Sequence, residues 1–92
     1  MYRPLPPYLT IKSSSVEGLG LFATKPIKKS TILGISHVSH ILFDNGYIRT
    51  PLGGFINHSN TPNCKTFEDG RFIYIISITD IKAGDEITLK YN

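Results

Sequence analysis

The chain of 92 residues has no tryptophan, one methionine and one cysteine. A single cysteine, Cys64, excludes an internal disulfide and any multi-cysteine zinc site. It also fits a reducing compartment, cytoplasm or nucleus, more easily than an oxidising one. No apolar run approaches the roughly 18 residues of a membrane span, and Met1–Tyr8 lacks the shape of a signal peptide. Charge is sparse: 18% of residues against 40% hydrophobic, which places the chain among globular rather than disordered sequences. The net charge of +3 is spread out, and its densest group, Lys25, Lys28 and Lys29, reads as a solvated face. A stripe of basic residues interleaved with aromatics is missing, which argues against a nucleic-acid-binding module. Helical periodicity is missing too, since no segment holds a 3.6-residue apolar repeat over ten residues.

What remains is a single small domain, residues 1–92, built mostly of short β-strands. MYRPLPPY (1–8) carries three prolines and reads as an extended lead-in. LTIKSSS alternates as a strand does. EGLGLFATKPI reads as a tight glycine turn feeding a short strand. TILGISHVSHILF is β-rich, and DNG at 44–46 marks a turn. KTFEDGRFIYIISI predicts a hairpin turning at Asp69-Gly70. DIKAGDEITLKYN predicts a turn at Ala83-Gly84 and a last strand ending at Tyr91.

One stretch is unusually dense in small polar groups: GGFINHSNTPNC, residues 53–64. Four readings suit it. His58 and Ser59 could belong to a nucleophilic site, but neighbours on a strand point to opposite faces and are poorly placed to act on each other. His37, His40 and His58 could converge on a metal, although a spacing of three between the first two suits a helix better than the strand read there. The asparagines and His58 could cap turns and satisfy backbone groups. The stretch could also line a pocket for a polar ligand.

Three features in fixed order favour the pocket. They are Gly18-Leu19-Gly20 within GLGLFA, the run from Asn57 to Asn63 within GFINHSNTPNC, and AGDEITLKY at 83–91. Together they resemble the SET domain family of protein-lysine N-methyltransferases over roughly residues 9–92. The resemblance implies a mostly β, β-clip-like fold of short twisted sheets, with a knot-like C-terminal segment threaded under the Asn57-His58 loop. It implies S-adenosylmethionine as cofactor, S-adenosylhomocysteine as product, and a protein or peptide substrate bearing lysine. Gly18, Leu19 and Gly20 would then line the methionine end of the cofactor, where absent Cβ atoms allow close backbone approach. Asn57 would hold the amino-acid part, the His58 backbone would read the adenine edge, and Ser59, Pro62 and Asn63 would shape the loop.

The same resemblance implies Tyr91 as the catalytic residue, its hydroxyl orienting methyl donor and amine. The lysine amine must be neutral, which costs roughly 4–5 kcal/mol near neutral pH for an unperturbed lysine. Aromatics could wall the lysine channel: Tyr47 first, with Phe67, Phe72 and Tyr74 more easily read as packing residues. No metal is implied. The sequence departs from the family at Gly54, where arginine is common, and at Lys90, where aspartate is common. The cysteine-rich zinc module that often follows the last tyrosine is not found in these 92 residues. A second copy of the chain, a partner protein or the peptide itself would then complete the channel. A SET-like binding or regulatory module with weak or no turnover is the alternative.

Overall fold

Alternation of apolar and polar residues sets the first hairpin. In a computed structural model describing residues 5–39 and 47–90, β1 (Leu9–Ser13) and β2 (Leu19–Ala23) pair antiparallel, Leu9 opposite Ala23 and Ser13 opposite Leu19. The connection is held by Ser14 N donating to Gly18 O at 2.8 Å. Gly18 has φ +46°, a left-handed conformation that costs a residue with a side chain about 1 kcal/mol or more. Leu21 and Ala23 point into the core, whereas Leu19, on the same face of β2, is 51% exposed beside Val16 at 56%.

The main sheet contains β3 (Ile32–Ser39), β4 (Tyr47–Arg49), β6 (Cys64–Asp69) and β7 (Phe72–Ser77) in the order β4-β3-β7-β6, all antiparallel. The β6–β7 hairpin turns at Asp69-Gly70 as its sequence predicts, with Cys64 opposite Ser77 and Asp69 opposite Phe72. The DNG turn expected at 44–46 lies outside the described residues. Phe67 and Tyr74 face each other across this hairpin and stack at 5.2 Å, with Phe72 tilted against Tyr74 at 6.1 Å. These rings pack on one another, as cross-strand aromatic pairs do.

A single helical turn, α1 (Pro51–Gly54), precedes β5 (Asn57–His58). Its start is fixed by Thr50, whose hydroxyl accepts from Gly53 N and donates to Ile35 O at 2.6 Å, tying the turn to β3. Four residues are too few to show a helical period, which is why hydrophobic patterning passes over them. The local signal is a capping threonine followed by proline at the first helical position.

The segment from Gly84 onward explains how distant motifs meet. It runs first along β2, with Gly84 N donating to Ala23 O, Ala23 N to Asp85 O, Phe22 bridged to Glu86, and Ile87 N donating to Leu21 O. It then changes partner, and β8 (Thr88–Leu89) pairs parallel with β5, Asn57 opposite Thr88 and His58 opposite Leu89. The last strand is therefore two residues long, shorter than the run to Tyr91 expected from sequence. Switching from one neighbour to another breaks the ladder into short pieces. Leu21, Leu33, Ile75, Ile81 and Ile87 are the most deeply buried aliphatics, and Leu9, Ile56, Cys64 and Leu89 extend the same core. Each large aliphatic contributes roughly 1.5–3 kcal/mol of transfer free energy. No helix among the described residues is long and apolar enough to cross a membrane.

Candidate functional site

The first and second motifs lie side by side. The Asn57 side chain extends from β5 to the turn before β2, where Nδ2 donates toward Glu17 O at 3.1 Å and Leu19 O at 3.2 Å. It also donates to Glu86 Oε2 at 2.8 Å. Three oxygens surround this end of the amide, and none can donate, so the amide orientation is fixed by chemistry: the nitrogen faces the turn and Oδ1 faces away. Among the described residues no hydrogen-bond donor reaches Oδ1. Acceptors thus stand on both sides of the amide, two turn carbonyls and a carboxylate around its nitrogen and Oδ1 on the other, an arrangement that suits a cationic ligand group.

The third motif supplies Glu86, which sequence reading leaves without a role. Its other oxygen, Oε1, accepts from Ser14 Oγ at 2.7 Å. Gly20 lies directly against this carboxylate, and a Cβ at residue 20 would collide with Oε2. The two glycines of Gly18-Leu19-Gly20 thus serve different ends. Gly18 provides the left-handed turn and has open space around it, and Gly20 makes room for the Glu86 carboxylate. Sequence reading gives the pair a tight turn and close approach to a ligand, without telling the tasks of the two glycines apart.

His58 is exposed, its ring 3.3 Å from Asn60 Oδ1, and its backbone is paired with Leu89. Ser59 N donates to Leu89 O at 2.8 Å, and Ser59 Oγ accepts from Thr61 N. Asn63 clamps the loop to the last segment: Nδ2 donates to Glu86 O at 2.7 Å and Oδ1 accepts from Thr88 N at 2.9 Å. A pocket of about 220 Å3 opens between Pro62, Cys64, Lys65, Ile78, Leu89 and Lys90. Burial pushes the Cys64 thiol up to about 12, well away from thiolate chemistry near neutral pH. The His37 ring meets the Ser36 hydroxyl at 2.9 Å. His40 and Tyr91 lie outside the described residues, and Tyr47 is placed in β4 by its backbone.

Comparison with known proteins places the chain in a family. A family model described as SET domain matches residues 37–92. The chain belongs to the SET domain family. It is 47% identical over 45 residues to the histone-lysine N-methyltransferase ASHH2 of Arabidopsis thaliana, covering 45% of this chain and 3% of that protein. It is 37% identical over 46 residues to a SET and MYND domain-containing protein of Dictyostelium discoideum, covering 50% and 11%. The chain thus spans a small part of these relatives' length. Among solved structures, a Plasmodium falciparum chain described as a candidate histone methyltransferase superposes with a TM-score of 0.78 at 24% identity, covering 96% of both chains. The methyltransferase domain of human PR domain-containing protein 2 superposes at 0.72 with 21% identity, covering 96% of this chain and 79% of that one. At these identities the likeness is one of fold, and the fold is that of SET domains.

Proposed function

We propose that this chain is a protein-lysine N-methyltransferase domain that uses S-adenosylmethionine and acts on a lysine side chain of a protein or peptide. The observation that carries the reading is the contact of the Asn57 amide with the carbonyls of Glu17 and Leu19. It brings the glycine turn and the Asn57-His58 strand into one acceptor-lined wall. A cofactor bearing an ammonium and a sulfonium is matched by such a wall, because acceptors and a carboxylate stabilise cations where water is partly excluded.

In this reading Asn57 Oδ1 accepts from the ligand ammonium, Gly18 and Leu19 present backbone at the methionine end, Gly20 keeps that stretch in place, and the His58 backbone lies at the adenine edge. When bound, S-adenosylmethionine supplies a methyl group on a sulfonium and leaves as S-adenosylhomocysteine. The chain's own task is to position an amine in line with that methyl. Tyr91, two residues beyond β8, is assigned to hold the lysine amine through its hydroxyl, and Tyr47 to wall the lysine channel. The remaining wall is assigned to the substrate, a partner protein or a second copy of this chain.

Lys90 stands exposed next to Tyr91, where the family commonly has aspartate. That departure favours, as a second reading, a SET-like binding module without turnover. Calorimetric titration with S-adenosylmethionine and S-adenosylhomocysteine tests the pocket, with Asn57→Ala as control. Micromolar binding that is lost in Asn57→Ala is the expected result, and no binding of either compound withdraws the cofactor assignment. Tyr91→Phe separates the two readings. An enzyme keeps binding and stops adding methyl groups to lysine, as read by mass spectrometry of protein mixtures incubated with it. A binding module shows no lysine methylation with either residue at position 91.

A further inference from the structure

Three stretches far apart in sequence meet at one carboxylate. Glu86 Oε1 accepts from Ser14 Oγ, 72 positions earlier, and Oε2 accepts from Asn57 Nδ2, 29 positions earlier. The Ser14 hydroxyl oxygen is itself engaged, accepting from Val16 N at 2.9 Å and more weakly from Glu17 N at 3.5 Å. Its proton is therefore directed to Glu86. The Asn57 amide is divided between Glu86 and the carbonyls of the same turn. Every bond from these two side chains runs toward Glu86 or toward a turn carbonyl, and only an ionised carboxylate offers two acceptor oxygens with no competing donor. Gly20 provides the space.

We infer that Glu86 is a positioning residue of the cofactor pocket, acting through Asn57 and the Ser14–Leu19 turn rather than by touching the ligand. It draws the Asn57 nitrogen inward, which leaves Oδ1 as the face presented to a cation. From the other side it anchors Ser14, whose hydroxyl shapes the turn. The inference rests on the cofactor assignment above. It goes beyond that assignment in naming a side chain that, together with the turn carbonyls, orients Asn57.

Glu86→Gln is the decisive substitution because it keeps size and shape. The glutamine has one acceptor oxygen where the carboxylate has two, so either Ser14 or Asn57 loses its bond to residue 86, and Asn57 is then held by the Glu17 and Leu19 carbonyls alone. The expected result is a folded protein whose affinity for S-adenosylhomocysteine falls about tenfold or more. The second readout needs no ligand. In wild-type protein the two Asn57 side-chain amide protons should be resolved by NMR and slow to exchange with solvent, and in Glu86→Gln that protection should fall. Combining Glu86→Gln with Ser14→Ala should cost less than the sum of the two, because both act on one network. Should Glu86→Gln fail to fold, Ser14→Ala alone carries both readouts, with the same direction and a smaller loss.

Affinity within twofold of wild type overturns the inference, and so does unchanged Asn57 protection. If the wild-type chain binds neither cofactor nor product, the cofactor assignment falls by itself. The Asn57 amide signal then still decides whether Glu86 orients Asn57.

Discussion

A methyl group at residue 20 would take the space of the Glu86 carboxylate, which would have to swing aside. Gly20→Ala must displace that carboxylate and with it the bonds to Ser14 and Asn57. Losing bonds of this kind costs roughly 1–3 kcal/mol. Gly18→Ala meets no neighbour and pays only for its left-handed backbone, about 1 kcal/mol. Urea denaturation should therefore rank Gly20→Ala below Gly18→Ala in stability. Equal losses would mean that the carboxylate yields freely and the fit at Gly20 is unimportant. Residues at this scale are legible in part. Asn57 and the glycine pair stand out in sequence as dense polar groups and a turn. Glu86 does not, because a glutamate beside a polar turn carries no local mark of partners 29 and 72 positions away.

At the scale of elements, Asn63 behaves as a piece of strand: its side chain gives the last segment the donor and acceptor that a neighbouring backbone would give. Asn63→Ala removes both bonds and leaves Glu86 O and Thr88 N to find water, at a cost of about 2–4 kcal/mol. Asn63→Asp keeps the acceptor for Thr88 but sets an oxygen against the Glu86 carbonyl. It should be destabilised at neutral pH, and acidification that protonates the new carboxyl should return part of the loss. Chemical denaturation at two pH values checks this, and an Asn63→Asp variant as stable as wild type would show that the clamp is not needed. The elements themselves read from sequence according to how local their causes are. The β6–β7 hairpin is evident from Asp69-Gly70 between alternating runs, since its register is set within fourteen residues. The pairing of β8 with β5 is not, because two-residue strands carry no pattern and their partners are chosen by the tertiary path. The helical turn at Pro51–Gly54 escapes sequence patterning for the same want of length.

For the whole molecule, Cys64 is a probe placed in the core at 1% exposure. Desolvation raises its thiol from 9.0 to about 12 in the folded chain. Between those values the folded state holds a proton that the unfolded state has released. The protective contribution is complete below pH 9 and declines as pH rises from about 9 toward 12. Stability measured across that window should fall with pH and fall less in Cys64→Ala, once that variant's own cavity cost is allowed for. At neutral pH, alkylation of Cys64 should follow global opening, so labelling that is fast while the chain is folded would contradict the burial described. The order in which the molecule can be assembled follows from the path of its last segment. Glu86 closes the glycine turn across a separation of 72 positions, so a nascent polypeptide emerging from the ribosome holds the turn and the Asn57 strand for some time before the carboxylate that aligns them exists. Contacts of such long range form late and slowly. The ligand wall thus exists only once the chain has been made as far as Glu86, and a ligand that binds it would bolt together Ser14, Asn57 and Glu86.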